Sequence, residues 1–378
     1  MGQSQGADAI VIGAGIIGAA CARRLAADGM DVLLVDNQGS GATQAGMGHL
    51  VCIDDNPAEL RLSSYSLGLW RKLVSDLPDD CAWRGCGTLW LAETDEEMDV
   101  AAEKQRRLSH CGVHSEMLTP SQVAQMEPAL RSGLAGGLRV AGDGILYAPA
   151  AGRWLASHPG ITRLAGEAAA IEGDVVILAS GERLTAPAIV VANGLGADAL
   201  LGSRFLRAKK GHLAITDRYT PMVRHQLVEL GYGASAHAAS GTSVAFNLQP
   251  RPTGQLFIGS SRQFDSLDPA VDGKVLAAML ARARSWMPAL AEMNIIRCWT
   301  GFRAAAADGL PLLGPHPDYP GLWLALGHEG LGVTTALGSA AIIAAQIRQR
   351  RPEIDDTPYL PARLLTTDST SHSVEETP

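Results

Sequence analysis

The sequence predicts an α/β parallel-sheet domain interleaved with an α+β domain built on a mostly antiparallel sheet. Three observations carry that prediction. Residues 7–36 read ADAIVIGAGIIGAACARRLAADGMDVLLVD, a complete βαβ unit. Two further strand-then-glycine junctions, Asn193-Gly194 and residues 327–332, occur far along the chain. Between these junctions, stretches of β type alternate with proline-bearing turns. A chain of 378 residues with 47% hydrophobic content has the apolar material for two domains.

In the βαβ unit, Ala9–Ile12 reads as a short apolar strand and Ile16–Ala27 as a helix closed by Asp28-Gly29. Residues 32–35 form a second buried strand ending in Asp36 and Asn37. Gly13, Gly15 and Gly18 make G-x-G-x-x-G, the Rossmann-like pattern. Gly13 suits the tight turn, Gly15 lets a pyrophosphate approach the backbone, and Gly18 lets the helix lie close on the strand. Ile16 and Ile17 open that helix, whose N-terminus offers N–H groups and partial positive charge to phosphates. Asp36 is placed to hold a ribose diol, and its carboxylate disfavours the 2′-phosphate of NADP. The motif leaves FAD and NAD open; the bland alternative is a packing unit with no ligand.

Further along, residues 39–49 (GSGATQAGMGH) are too glycine-rich for an element interior and read as a loop over a ligand. Residues 58–77 carry apolar side chains at helical spacing. Residues 87–91 read as a strand, 96–110 as a charged surface helix and 120–127 as a short helix opened by proline. Strands are expected at 161–171, 175–178 and 188–192, then at 212–216, 243–248 and 256–260, with a helix at 271–286. The block from 299 to 350 reads as a loop, a strand at 322–325, a glycine loop and a long helix of small residues from 333 to 348. These elements place the nucleotide-binding domain in residues 1–85, 145–210 and 299–350. The second domain then takes 86–144 and 211–298. Residues 352–378 form a tail whose distal part, beyond 365, is expected to be disordered.

Composition excludes several functions. A formal charge of −8 without any long basic tract argues against nucleic acid. The six cysteines show no metal or cluster spacing and read as reduced thiols, so no metal is expected in this chain. The apolar run near the N-terminus lacks a basic flank and its glycines already have a phosphate-binding role, which argues against a signal peptide. No other stretch reads as a membrane span, and a cytoplasmic location is expected.

Taken in order, GAGIIG, GATQAGMGH, IVVANG, GFRAAAADGLPLLG and GHEGLGVTTALG resemble the D-amino-acid oxidase superfamily of flavoproteins over roughly residues 7 to 350. That superfamily includes glycine oxidase, sarcosine oxidase and D-amino-acid dehydrogenase. The resemblance implies a glutathione-reductase-like FAD-binding domain beside the substrate domain, and a tightly held FAD contacted by several separate segments. It implies that Thr43, Ala45, Gly46, Met47 and Gly48 run past the pyrophosphate and isoalloxazine. It sets Ala168 at the adenine, Gly194 at a later glycine junction, and Gly330, Leu331, Gly332, Val333 and Thr334 beside the flavin pyrimidine edge. A helix N-terminus there would stabilise the negative charge of a reduced flavin. A plain helix-starting turn is the bland reading of the same residues.

Arg303, in Gly301-Phe302-Arg303, follows an apolar approach and has no local carboxylate partner in sequence. An interdomain salt bridge is its bland reading. The resemblance implies instead that it grips the substrate carboxylate with two parallel N–H···O bonds, a geometry that suits Arg and not Lys. A hydride then leaves Cα for flavin N5. His49, His212, His225, His237 and His328 are available to assist amine deprotonation, with His49 and His328 ranked first because both lie in loops expected to face the flavin. Gly301 stands where sarcosine oxidase carries its flavin-linking cysteine, so FAD is expected to be non-covalent. Phe257 stands where that relative has its oxygen-activating lysine, which favours a dehydrogenase.

Within the superfamily, the closest resemblance is to the β subunits of bacterial D-hydroxyproline dehydrogenases, with hydrogen cyanide synthase and opine oxidase catalytic subunits nearby. It rests on residues 45–59, 207–213, 256–265 and 327–335. It implies a small amino or imino acid substrate, D-hydroxyproline-like for preference. It also implies partner subunits with iron–sulfur and flavin centres, through which the chain would lie peripheral to the inner membrane. FMN at a subunit interface is allowed; Arg207, Lys209 and Lys210 are either that contact or a solvated basic turn. Alternatives are an opine or glycine/sarcosine-type oxidase subunit, and an FAD-holding assembly subunit without turnover.

Overall fold

The structure, a computed structural model, describes residues 5–52, 56–231, 241–264 and 266–365. Two sheets organise it. The first has six strands in the order Leu312–Pro315, Leu322–Leu326, Ala188–Val191, Ala9–Ile12, Val32–Asp36 and Ile161–Ala165. All neighbours are parallel except the first pair. Its strands are continuous apolar runs because both faces are covered. Ala9, Val11, Val32, Leu34 and Val190 pack with the helices Ile16–Ala27, Pro57–Leu73 and Gly332–Ile347 on one face. Ile10, Ile12, Leu33, Val35 and Val191 point the other way, onto Val176, Leu178 and Leu184 of a four-stranded sheet. Each such aliphatic side chain contributes roughly 1.5–3 kcal/mol on burial.

The second large sheet has eight strands, ordered Ile295–Ala306, Leu206–Thr216, Leu256–Phe264, Thr242–Pro250, Gln226–Glu229, Thr88–Ala92, Gly136–Val140 and Glu116–Leu118. Every pairing is antiparallel except Gln226–Glu229 with Thr88–Ala92. Helix Gly273–Trp286 backs it, with Trp286 stacked on Phe246 at 5.3 Å. Its start is set by Asp272, whose carboxylate accepts from Lys274 N and Val275 N.

Several expected elements change. Residues 299–306, expected as a loop, are the second half of strand Ile295–Ala306, which pairs along its length with Leu206–Thr216. The single strand expected at 161–171 is two, Ile161–Ala165 in the parallel sheet and Ala168–Glu172 in the four-stranded one. The loop at 39–49 contains a helical turn, Ala42–Ala45. The helix expected to reach residue 77 ends at Leu73. Arg207, Lys209 and Lys210 are not a solvated turn: they lie inside a strand, and Lys210 is 2% exposed with its ammonium donating to Ala270 O. The described segment Glu329–Ile347 is long and apolar enough to cross a membrane by length and composition alone, but it packs as a core helix against Ile16–Ala27 and Pro57–Leu73. The tail beyond residue 365 and His237 lie outside the described residues.

Candidate active site

A cavity of about 680 Å³ runs between the two large sheets. One end is the glycine turn. Gly13 has φ +101°, and its N–H donates to Val35 O at 2.7 Å. A Cβ at Gly18 would lie 1.8 Å from the Gly13 carbonyl oxygen, so only glycine lets the helix close on the turn. Asp36 braces the same turn: one carboxylate oxygen accepts from Ala14 N and the other from Gln38 N, both at 2.7 Å. Each oxygen keeps a second lone pair for an incoming hydroxyl. Asn37 accepts from Gly39 N at 3.0 Å.

Thr43 reaches this end from the helical turn Ala42–Ala45, its hydroxyl accepting from Ile16 N at 2.9 Å. Gly13, Gly15, Ile16, Ile17, Asp36, Asn37, Thr43, Ala168 and Gly194 all line the cavity. Gly18 does not; its role is packing. Along the middle run Ala45, Gly46, Met47, Gly48 and His49. Gly48, at φ +81°, passes so close to Leu146 that a Cβ would sit 1.9 Å from its carbonyl oxygen. Opposite them, Gly330, Leu331, Gly332 and Val333 line the cavity at the start of helix Gly332–Ile347, which no side chain caps. Thr334 is not a lining residue. Its hydroxyl donates to His49 O and accepts from Val51 N, bolting the helix to strand His49–Leu50.

The far end is the face of the eight-stranded sheet. Arg303 lines the cavity there, and its Nη1 donates to Ser261 O at 3.1 Å. Two glycines admit close neighbours there, Gly211 the Arg303 guanidinium and Gly301 the side chain of Ala45. A Cβ at Gly211 would meet Arg303 Nη1 at 2.7 Å, and one at Gly301 would meet Ala45 Cβ at 2.3 Å. Glu329, held at φ +46°, sits 3.2 Å from Lys209 Nζ and 3.4 Å from Arg262 Nη2. Burial raises the Glu329 carboxyl pKa, but Arg262, Lys209 and Arg303 outweigh it and hold the group ionised, below the usual range.

The two leading histidines are both uncharged at neutral pH. Burial pushes His49 down to about 4, with Arg303 and Arg251 adding to the effect against the Gln226 hydrogen bond. Its Nδ1 lies 2.7 Å from Gln226 Oε1 and its Nε2 3.1 Å from Asn247 Nδ2. A neutral ring donates at Nδ1 to Gln226 and accepts at Nε2 from Asn247, while Gln249 Nε2, also 2.7 Å from Nδ1, competes for that nitrogen. Burial pushes His328 to about 3, and its Nε2 lies 3.0 Å from Ser339 Oγ, inside the long helix. His212 is tied to Ser261 and Asp272 N, and His225 to Glu127.

A neutral buried histidine binds no proton in the fold but does so when unfolded, so its stabilisation is complete above about pH 6.5 and lost as pH falls towards the folded value. The stability of His328→Asn is therefore expected to converge on wild type as pH drops from 7 to 4, by up to about 1.4 kcal/mol per pH unit. Thermal unfolding at pH 7, 6, 5 and 4 checks this; two curves that stay parallel would refute it.

A family model described as FAD dependent oxidoreductase (DAO) matches residues 8–346. The chain belongs to the DAO family. An opine oxidase subunit from Rhizobium meliloti is 25% identical over 386 residues, covering 94% of this chain and 97% of that protein. D-amino acid dehydrogenase of Methylobacterium nodulans is 30% identical over 328 residues, covering 81% and 74%. The crystal structure of glycine oxidase from Geobacillus kaustophilus superposes with a TM-score of 0.84 at 25% identity, covering 94% of this chain and 98% of that one.

As a DAO-family oxidoreductase the protein uses FAD, and its residues fit that cofactor. The turn at Gly13 and Gly15, the opening of the following helix and the Asp36 carboxylate line one end of the cavity, which continues from there to Arg303. Among the described residues no group of three or more His, Cys, Asp or Glu could hold a metal. All six cysteines are free thiols. Phe257 is not a lining residue: it packs edge-on against Trp299 and under Arg251, so its identity says nothing about oxygen. Sequence reasoning missed Gly211, Arg262, Asn247 and Glu329, all of which line the cavity. Of these, only Glu329 carried a local signal, an acid inside a glycine loop.

Proposed function

We propose that this DAO-family enzyme oxidises a small amino or imino acid whose carboxylate is held by Arg303. The observation that carries this is the guanidinium of Arg303, packed against Gly211 at the sheet end of the FAD cavity. Bound FAD would supply the chemistry, accepting a hydride from the substrate Cα. The chain's part is binding and orientation: a fixed carboxylate leaves the Cα–H one direction to face. His49 and His328 act in this reading as uncharged positioning residues, the first orienting Asn247 at the cavity wall, the second fixing the 327–332 loop to its helix. Amine deprotonation falls to water in this reading: both ring nitrogens of His49 are engaged, and His328 Nε2 is held by Ser339.

Non-covalent FAD is part of the proposal. Gly301 has no room for a thiol, and Cys298 alternates to the opposite face of its strand, where it packs against the core behind the sheet. For the substrate, motif resemblance favours a D-hydroxyproline-like imino acid, with electrons leaving through partner subunits that carry iron–sulfur and flavin centres. In this proposal the enzyme works in the cytoplasm and meets the inner membrane only through those partners.

An anaerobic screen tests the reading. Purified holoenzyme is expected to lose its flavin absorbance with cis-4-hydroxy-D-proline and to keep it with glycine. Acid precipitation of the same preparation is expected to leave the yellow colour in the supernatant. Inertness to every D-amino acid, cyclic imino acid and opine would overturn the reading in favour of an FAD-holding assembly role without turnover.

A further inference from the structure

We propose that Asn247 is a specificity-determining residue whose side-chain carbonyl accepts a hydrogen bond from a hydroxyl on the substrate side chain. The inference rests on the Arg303 reading above and names the residue that selects among its substrates.

The cavity wall crosses the eight-stranded sheet strand by strand. Arg303 and Gly301 stand on the edge strand, Gly211 and Leu213 on the next, Ser260 on the third and Asn247 on the fourth. Asn247 is the register partner of Val228, and Val228 of Trp90, so these three form one row, and all line the cavity. The Arg303 guanidinium lies over Gly211. Gly211 is two strands and about two residues from the level of Asn247, roughly 12 Å. The α-amine, two bonds from the carboxylate carbon, falls short of that gap. A group on the third or fourth carbon of the substrate spans it.

The amide of Asn247 is set from the backbone outwards. Gln226 Nε2 donates to Gly144 O at 3.1 Å, Gln226 Oε1 meets His49 Nδ1, and His49 Nε2 accepts from Asn247 Nδ2. That leaves the Asn247 oxygen, which is buried and has no hydrogen-bond partner among the described residues. An unmet buried acceptor is costly, and a ligand that donates to it recovers that cost. Val228 and Trp90 carry no side-chain acceptor, so Asn247 is the only one in its row. A cationic donor does not suit the place. Arg303 and Arg251 already bring positive charge to the adjoining His49 and oppose its protonation. A neutral donor matches this wall, and a hydroxyl is the simplest.

cis-4-Hydroxy-D-proline and D-proline differ by one such hydroxyl and make the test. Wild-type holoenzyme is expected to favour the hydroxylated acid about tenfold or more in kcat/KM, because a site built to bond a hydroxyl rejects the analogue that lacks it. Asn247→Leu should bring that ratio close to one, and Asn247→Asp, which keeps an acceptor, should retain part of it. A wild-type ratio near one overturns the proposal. So does a ratio that Asn247→Leu leaves unchanged, the result expected if Asn247 served the amine common to both acids. Should Asn247→Leu fail to fold, ligand binding to wild type decides. 4-Hydroxybutyrate separates its carboxylate and hydroxyl by the same number of carbons and has no amine. It is expected to perturb the flavin spectrum at lower concentrations than butyrate, and equal concentrations overturn the proposal. If no amino or imino acid bleaches the flavin while 4-hydroxybutyrate still binds more tightly, the Asn247 site stands and the oxidation reading falls.

Discussion

Arg303→Lys is expected to raise KM for the amino or imino acid substrate about a hundredfold while the bound-flavin spectrum keeps its shape. The reasoning is geometric. A guanidinium meets a carboxylate with two parallel N–H···O bonds, whereas an ammonium offers one point charge. Each hydrogen bond to a charged group is worth about 1.5–3 kcal/mol, so losing one arm alone costs roughly ten- to a hundredfold or more. A carboxylate held at one point also swings, and kcat should fall with the loss of alignment. Arg303→Ala removes both arms and should cost about a further order of magnitude. Steady-state kinetics with flavin spectra taken on the same samples separates this from general damage. An unchanged KM would remove Arg303 from the site, and the proposed function with it.

The other large effect is expected at Gly18. An alanine there would set its Cβ 1.8 Å from the Gly13 carbonyl oxygen and 3.3 Å from Ala192 Cβ. The oxygen cannot yield, because the Gly13 N–H is bound to Val35 O in the neighbouring strand. Helix Ile16–Ala27 must therefore move off the sheet, and with it the N–H groups that face the cofactor phosphates. Overpacking of this kind costs about 1–3 kcal/mol or more, a large share of a total stability of about 5–15 kcal/mol. Gly18→Ala should purify largely without FAD and melt several degrees lower. Gly68→Ala is the control: a Cβ at that helical position meets nothing within 4 Å, and alanine favours the helix. Equal FAD content in the two variants would show that the close approach at Gly18 is not required.

The residues at the two ends of the cavity were legible in the sequence to very different degrees. The glycine turn, Asp36 and helix Ile16–Ala27 were legible because their geometry is local: each is fixed by neighbours within one βαβ unit. Arg303 was legible as a residue type, by motif order, but its strand was not. GFRAAAADG lacks the large β-branched side chains that mark strands; its pairing with the distant strand Leu206–Thr216 makes it one, and Ala45 packs into the gap that Gly301 leaves. The break between Ala165 and Ala168 was hidden for the opposite reason, an apolar run that continues through a change of sheet. Arg262, Lys209 and Glu329 could not be found by spacing at all. They lie on three separate segments, and only the antiparallel register brings their charges together.

The six-stranded sheet also dictates when the cofactor can be taken up during synthesis. Ala9–Ile12 sits at its centre, yet its partner Ala188–Val191 and the next strand, Leu322–Leu326, leave the ribosome long afterwards. The last wall of the cavity, residues 330–333, is made later still. A nascent chain thus carries the phosphate-binding turn for most of its translation without a pocket to use it in. Pairings this distant in sequence form late and slowly. FAD therefore enters as the final stone of an arch and not as the template around which the fold is laid.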